Sequence, residues 1–286
     1  MRIADALRRA AEFLKENADA RRDAALVLGF VLNRERAFLI ANDDRDLSDE
    51  EIERFFELIE RRASGEPIQY ITGRQEFFGL EFEVNENVLI PRPETEILVE
   101  AAIEILREKE SPYFCDVGTG SGCIPISILA NLENAKAVAV DISSGALAIS
   151  RKNAEKHQVA ERIEFYESDI FAIFENRKSK IENQKFGLIV SNPPYIPNKD
   201  LPDLPREVRE HEPHAALFGG DFGTEIITQL LMDAPKFLLE HGYLMFEIGF
   251  AQSDEVRAKV DPNVWQLRGI LPDLQGIPRI VVLQRV

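Results

Sequence analysis

The sequence predicts an α/β protein: an open, mostly parallel β-sheet with helices on both faces and an antiparallel edge, preceded by a small helical bundle. Three observations carry that expectation. Apolar residues recur at helical spacing up to about residue 65, and from Tyr113 onward short β-rich runs alternate with helical stretches. The last two β-rich runs have no long helix between them, as suits an antiparallel pair at a sheet edge.

In the first part, Ile3, Ala6, Leu7, Ala10, Phe13 and Leu14 form one apolar stripe, and Ala24, Ala25, Leu28 and Leu32 another. A further helix is expected to start at Ser48, where Glu51 three residues on completes a capping box, and to bury Ile52, Phe55, Phe56 and Ile59. It should stop near Ala63-Ser64-Gly65, with Pro67 just beyond. From Gln75 to Ile90 the pattern changes to Phe77, Phe78, Leu80, Phe82, Val84, Val88 and Leu89, broken by Gly79 and Asn85-Glu86-Asn87, which predicts a β-hairpin. After Pro91-Arg92-Pro93, a helix carrying Ile97, Leu98, Ala101, Ala102, Ile105 and Leu106 opens the last part. Strands are expected at Tyr113–Val117, Ala137–Asp141, Ile163–Glu167, Gly187–Ser191 and Tyr243–Ile248, with an edge pair at Val264–Gly269 and Arg279–Val286. The chain thus divides into a helical domain at 1–74, a hairpin linker at 75–92 and an α/β domain at 93–286.

Composition narrows the function. No apolar run approaches the roughly 18 residues of a membrane span, and the N-terminus lacks the plan of a signal peptide. Two cysteines in 286 residues argue against a disulfide framework and for a reducing, cytoplasmic setting. A formal net charge of −16 disfavours a phosphate-gripping nucleic-acid protein and would suit a basic protein partner. Nothing in the composition sets an oligomeric state.

The first strand of the α/β domain runs into Asp116-Val117-Gly118-Thr119-Gly120-Ser121-Gly122 and then a helix-like stretch. Glycines at such a turn let a ligand approach the backbone closely, at the sheet edge where open α/β folds bind ligands. The dinucleotide fingerprint would place a glycine or alanine where Cys123 stands; the alternating form G-x-G-x-G is instead typical of S-adenosylmethionine sites. Asp141, ending the second strand about twenty residues on, suits the ribose hydroxyls. Asp169 and Ile170, closing the third strand, suit the adenine. This makes the expected fold a Rossmann-like class I S-adenosylmethionine-dependent methyltransferase, with Gly118, Thr119, Gly120, Ser121, Gly122, Asp141, Asp169 and Ile170 as cofactor-binding residues.

The fourth strand delivers Asn192-Pro193-Pro194-Tyr195 to the same edge. Asn192 offers a side-chain carbonyl, and Pro193 a carbonyl on a locked backbone without a competing N–H. Two acceptors fix the two hydrogens of one planar NH2 and aim its nitrogen at the methyl donor. Tyr195 is expected to stack on the acceptor. Asn192, Pro193 and Tyr195 are therefore the candidate catalytic residues, and Asn192 to Tyr195 the substrate-binding segment. No metal is called for.

With these residues the chain resembles the HemK/PrmC family of glutamine methyltransferases acting on peptide chain release factors. The likeness extends through Pro67-Ile68-Gln69-Tyr70-Ile71-Thr72-Gly73 and Val88-Leu89-Ile90-Pro91-Arg92-Pro93-Glu94-Thr95-Glu96. It continues through Glu207-Val208-Arg209, Glu212-Pro213, Ala216-Leu217, Gly219-Gly220 and Glu247-Ile248-Gly249. The resemblance implies methylation of the glutamine amide in the Gly-Gly-Gln motif of release factors. It further implies that residues 1–74 help hold that protein substrate, and that Asn192 also touches the cofactor. Gly220-Asp221-Phe222-Gly223 and Pro125 depart from the family pattern and bear on loop geometry.

Other readings of the same residues differ in the acceptor. Asn-Pro-Pro-Tyr would serve adenine's amino group in DNA or RNA equally well, or the glutamine of another protein; a scaffold without turnover would show a damaged acceptor segment. His211 and His214 read as surface histidines rather than metal ligands, and Cys115 and Cys123 as buried small hydrophobes. Arg92, Glu94 and Glu96 either set a helix N-terminus or sit beside the methionine end of the cofactor.

Overall fold

The computed structural model describes residues 1–17 and 19–286. Residues Met1–Arg74 together with Pro205–His211 form one unit, and Gln75–Leu204 together with Glu212–Val286 form the other.

The first unit is built from helices α1 (Ile3–Phe13), α2 (Ala20–Leu32), α3 (Arg36–Ala41), α4 (Asp49–Ala63) and α5 (Ile68–Thr72). Ile3, Ala6, Ala10 and Leu14 pack with Ala24, Val27, Leu28, Phe55, Leu58 and Ile59 in one core. Phe13, expected in that stripe, is 55% exposed. The buried positions of α1 step by three and four residues from Ile3 to Leu14, and Leu14 takes the inward place at the helix end. The capping box of α4 is present: Glu51 N–H donates to Ser48 Oγ at 3.2 Å, and Ser48 N–H to Glu51 Oε2 at 2.9 Å. Ile52 and Phe56 are only partly buried, whereas Leu58 is fully enclosed. A buried ion pair ties α2 to α4, with Arg62 Nε donating to Asp23 at 2.6 Å, while Nη1 donates to Glu207 at 2.9 Å.

The second unit opens with a hairpin of β1 (Arg74–Phe77) and β2 (Leu80–Glu83). It continues through α6 (Glu96–Arg107), β3 (Tyr113–Val117), α7 (Cys123–Asn131), β4 (Lys136–Asp141), α8 (Ser144–Lys156), β5 (Ile163–Glu167) and β6 (Phe186–Ser191). The last strands are β7 (Leu238–Glu247), β8 (Trp265–Pro272) and β9 (Pro278–Arg285). Their order is β5-β4-β3-β6-β7-β9-β8. Neighbours from β5 to β7 pair in parallel, and β9 runs antiparallel to both β7 and β8.

Alternation along the strands feeds two cores. Phe114, Leu188, Val190 and Met245 enter one, and Cys115, Val117, Ile189 and Leu244 the other. Burial on both faces explains why these strands read as nearly continuous apolar runs. Both cysteines are buried and unbonded. β3 lies between β4 and β6, in the register Val117 with Val140 and Val117 with Ser191. The chain leaves the C-terminal ends of these strands on one edge, at the point where the strand order reverses, which opens a crevice there. Among the described residues no helix is long and apolar enough to cross a membrane.

Candidate active site

That crevice holds a cavity of about 370 Å³. Its floor is the glycine turn after β3. Gly118 and Gly120 adopt φ of +75° and +56°, and on each the side where a Cβ would stand is open space. Asp141 braces the turn: Gly120 N–H donates to Oδ2 at 2.8 Å and Ser143 N–H to Oδ1 at 2.9 Å. Burial raises the Asp141 carboxyl above its usual range, and these backbone donors work against that rise. Gly118, Thr119, Gly120, Ser121 and Asp141 all line the cavity. Gly122, the last of the turn residues expected at the cofactor, is not among those lining the cavity. It starts α7, and a Cβ there would sit 2.8 Å from Ile126 Cδ1 and 3.3 Å from Ser150 Cβ, so its glycine serves close packing between α7 and α8.

Asp169 and Ile170 line the far wall. Ile170 is held at φ +45°, a region β-branched residues seldom enter. Ser168 Oγ pins this turn by donating to Ile170 O at 3.1 Å and accepting from Ile173 N–H at 3.0 Å. Ile142, 61% exposed yet part of the cavity wall, adds an apolar surface that periodicity did not single out. Its signal was position: it directly follows the carboxylate at the end of β4.

Buried polar atoms without protein partners gather around the turn: both oxygens of Asp116, Thr119 Oγ1 and Ser121 Oγ. Such atoms are rare unless a ligand or water meets them. Burial pushes the Asp116 carboxyl up to about 7. An open glycine cradle, a braced carboxylate, two apolar walls and unsatisfied polar atoms fit a ligand with a cationic amino-acid end, a diol and a flat base.

On the opposite side, Asn192, Pro193 and Pro194 line the cavity. Asn192 Nδ2 donates to Thr95 Oγ1 at 3.1 Å, and Thr95 in turn donates to Glu247 Oε2 at 2.6 Å. Tyr195 OH donates to Glu247 Oε1 at 3.2 Å. Burial raises the Glu247 carboxyl, and the hydrogen bonds from Thr95 and Tyr195 and the charge of Arg279 oppose it. Tyr195 is not part of the cavity wall. Its phenol is held by this hydrogen bond, and its ring lies so near Gly249 that a Cβ there would stand only 3.0 Å from Tyr195 Cδ2. Burial, then the neighbouring Glu247 charge, raise its phenol.

Behind this segment, Gly219 passes so close that a Cβ would lie 2.4 Å from Pro194 O. Ile196 N–H donates to Leu217 O at 2.9 Å and Gly219 N–H to Ile196 O at 3.0 Å, so the glycine-rich stretch backs the acceptor segment. Arg92 Nη2 donates to the buried Glu212 at 2.5 Å, and Ile90 N–H to its second oxygen at 3.3 Å. Arg92 thus anchors a loop, while Glu96 accepts from Phe78 N–H at 2.8 Å. His214 meets Phe218 edge-on, with ring centroids 5.4 Å apart. Among the described residues no cluster of histidine, cysteine and carboxylate side chains is placed to hold a metal.

The strand order, the cavity at its reversal and the glycine turn define a class I S-adenosylmethionine-dependent methyltransferase. Residues 5–73 match the PrmC N-terminal domain, and residues 94–205 the methyltransferase small domain. The release factor glutamine methyltransferase of Koribacter versatilis is 41% identical over 262 residues, 92% of this chain and 90% of that one. The chain belongs to the release factor glutamine methyltransferase family. A bifunctional methyltransferase of Rickettsia felis is 36% identical over 92% of this chain, which spans 54% of that relative. Among solved structures, the hMettl16 catalytic domain in complex with MAT2A 3'UTR hairpin 6 shares the fold with a TM-score of 0.53 at 17% identity, over 83% of this chain and 82% of that one.

Proposed function

We propose that this chain transfers a methyl group from S-adenosylmethionine to the side-chain amide nitrogen of the glutamine in the Gly-Gly-Gln motif of peptide chain release factors. The observation that carries this reading is the Asn192 amide: its NH2 end is engaged by Thr95, so its carbonyl is the end left for the cavity. No donor among the described residues engages either that oxygen or the Pro193 carbonyl. These two acceptors suit the two hydrogens of a planar NH2 and nothing that lacks them.

In this reading Gly118 to Ser121 lie along the cofactor, Asp141 accepts from its ribose, and Asp169, Ile170 and Ile142 enclose its adenine. Asp116, Thr119 and Ser121 offer the polar atoms for its amino-acid end. The bound cofactor supplies an electrophilic methyl group on a sulfonium. An amide nitrogen is a weak nucleophile because its lone pair is delocalised into the carbonyl. Hydrogen bonds from its two N–H groups to Asn192 Oδ1 and Pro193 O draw electron density toward nitrogen and fix its direction of attack. As the new N–C bond forms, the sulfonium–methyl bond would break with its electron pair staying on sulfur as a neutral thioether, and the methylated nitrogen would release one of its two protons, ultimately to water. Orientation of this kind accounts for about 7–11 kcal/mol of barrier in well-positioned reactions.

The division of labour follows the domains expected from the sequence. Residues 1–74 hold the release factor, residues 75–92 link, and residues 93–286 carry the chemistry. A net charge of −16 suits a protein partner rather than nucleic acid. An enzyme acting on translation factors works in the cytoplasm. The test is to incubate the protein with methyl-labelled S-adenosylmethionine and either a release factor or duplex DNA. Label entering the release factor is expected; label entering only DNA would replace this reading with that of an adenine amino-methyltransferase.

A further inference from the structure

Glu247 lies at the end of β7, and Thr95 in the turn that leads into α6. Both are buried, at 1% and 2% exposure. Neither belongs to the acceptor segment, yet the side-chain hydrogen bond of Asn192 runs to Thr95 and that of Tyr195 to Glu247. Thr95 Oγ1 donates to Glu247 Oε2 at 2.6 Å, the direction an ionised carboxylate accepts. With its single hydrogen committed, Thr95 Oγ1 faces Asn192 as an acceptor only. The Asn192 atom 3.1 Å away must then be Nδ2, and Oδ1 is turned to the other side of the amide. Without that asymmetry the Asn192 amide could rotate by half a turn at little steric cost, because its two ends have nearly the same shape. A rotated amide would present N–H groups to an incoming NH2, donor against donor.

We infer that Thr95 and Glu247 are positioning residues which set the polarity of the Asn192 amide, and that Glu247, through its second oxygen on Tyr195, fixes both ends of the acceptor segment from one buried carboxylate. Thr95 supplies the sense of direction, and Glu247 supplies the reason that Thr95 can point only one way. The inference rests on Asn192 being the residue that receives the acceptor's NH2. Thr95 lines the cavity beside Asn192, and the pair is expected to act on turnover far more than on cofactor affinity.

The experiment uses the full-length protein with Thr95→Val, which keeps the shape and removes the hydroxyl, and Thr95→Ser, which restores it. Initial rates on a release factor are measured beside cofactor affinity by calorimetry. In Thr95→Val, kcat should fall about 100-fold. Its affinity for S-adenosylmethionine should stay within about threefold of the parent, and Thr95→Ser should recover most of the lost kcat. Exchange of the Asn192 side-chain NH2 protons, followed by NMR, should be slow in the parent and in Thr95→Ser and fast in Thr95→Val. An undiminished kcat in Thr95→Val, with the parent active on glutamine, would overturn the inference and leave the substrate reading standing. If the parent transfers no methyl to glutamine, the substrate reading fails, and the NMR measurement alone decides. Equal exchange in parent and Thr95→Val would then overturn the assignment of amide polarity.

Discussion

Gly120 N–H donates to Asp141 Oδ2 at 2.8 Å, joining the glycine turn after β3 to the carboxylate that ends β4. One oxygen therefore holds the cradle in shape while the carboxylate retains lone pairs for a diol. Asp141→Ala removes both effects and should weaken S-adenosylmethionine binding by about 30-fold, the scale of one to two hydrogen bonds to a charged group. Calorimetric titration of the variant checks this, and a dissociation constant within about twofold of the parent would count against it.

Asp116 should shape the pH dependence of stability. Its carboxyl is at about 7 in the fold and at 3.8 as the reference value, so between those limits the folded state binds the extra proton. Stability then falls as pH rises through that window, by up to roughly 4 kcal/mol at about 1.4 kcal/mol per pKa unit, and levels off above it. Asp141 and Glu247, also raised by burial, act in the same sense. Asp116→Asn should therefore gain on the parent in melting temperature between pH 5 and pH 8 when no cofactor is added. An offset that does not change with pH would refute the role of this carboxyl.

Much of the second unit was legible because its strands advertise themselves twice, as apolar runs and by the residues at their ends. β3 and β5 begin and end where the sequence placed them, since glycine turn and carboxylate punctuate their ends. β7 starts at Leu238, five residues before expectation, because it bends through a register shift against β6 between Phe186 and Leu188. The acceptor segment was legible as a motif, but its support was not. Thr95 and Glu247 lie 152 residues apart, and no periodicity links two positions that meet only when α6 and β7 pack in the fold. Gly122 and Tyr195 adjoin cavity residues in the chain without lining the cavity themselves. Their side of the backbone is decided by Ile126 and Ser150 in one case and by Glu247 in the other.

Gly219 is a second place where sequence could name a motif but not its use. Adding a methyl group puts a carbon 2.4 Å from Pro194 O and 2.8 Å from Gly223 O, so the backbone on one side must move. Gly219→Ala should lower kcat by about tenfold or more through displacement of the acceptor segment, with cofactor affinity retained. Parallel kinetics and calorimetry distinguish this from general unfolding, and unchanged kcat would show that the segment tolerates the shift.

In the helical unit, Arg62 at 13% side-chain exposure is the partner of Asp23 at 6%. Removing it strands a buried carboxylate. Arg62→Ala should cost about 3 kcal/mol, read from the urea unfolding of the full chain. A loss below about 1 kcal/mol would place this pair with exposed ion pairs instead.

The central claim is that one carboxamide nitrogen receives the methyl because Asn192 and Pro193 hold its two hydrogens. Mass spectrometry of a release factor after reaction, with fragmentation through the Gly-Gly-Gln segment, tests it most directly. A single added methyl is expected on the glutamine side-chain nitrogen, with the rate reduced about 100-fold or more by Asn192→Ala at nearly unchanged cofactor affinity. A methyl found on another residue, or formed at the parental rate by Asn192→Ala, would contradict it.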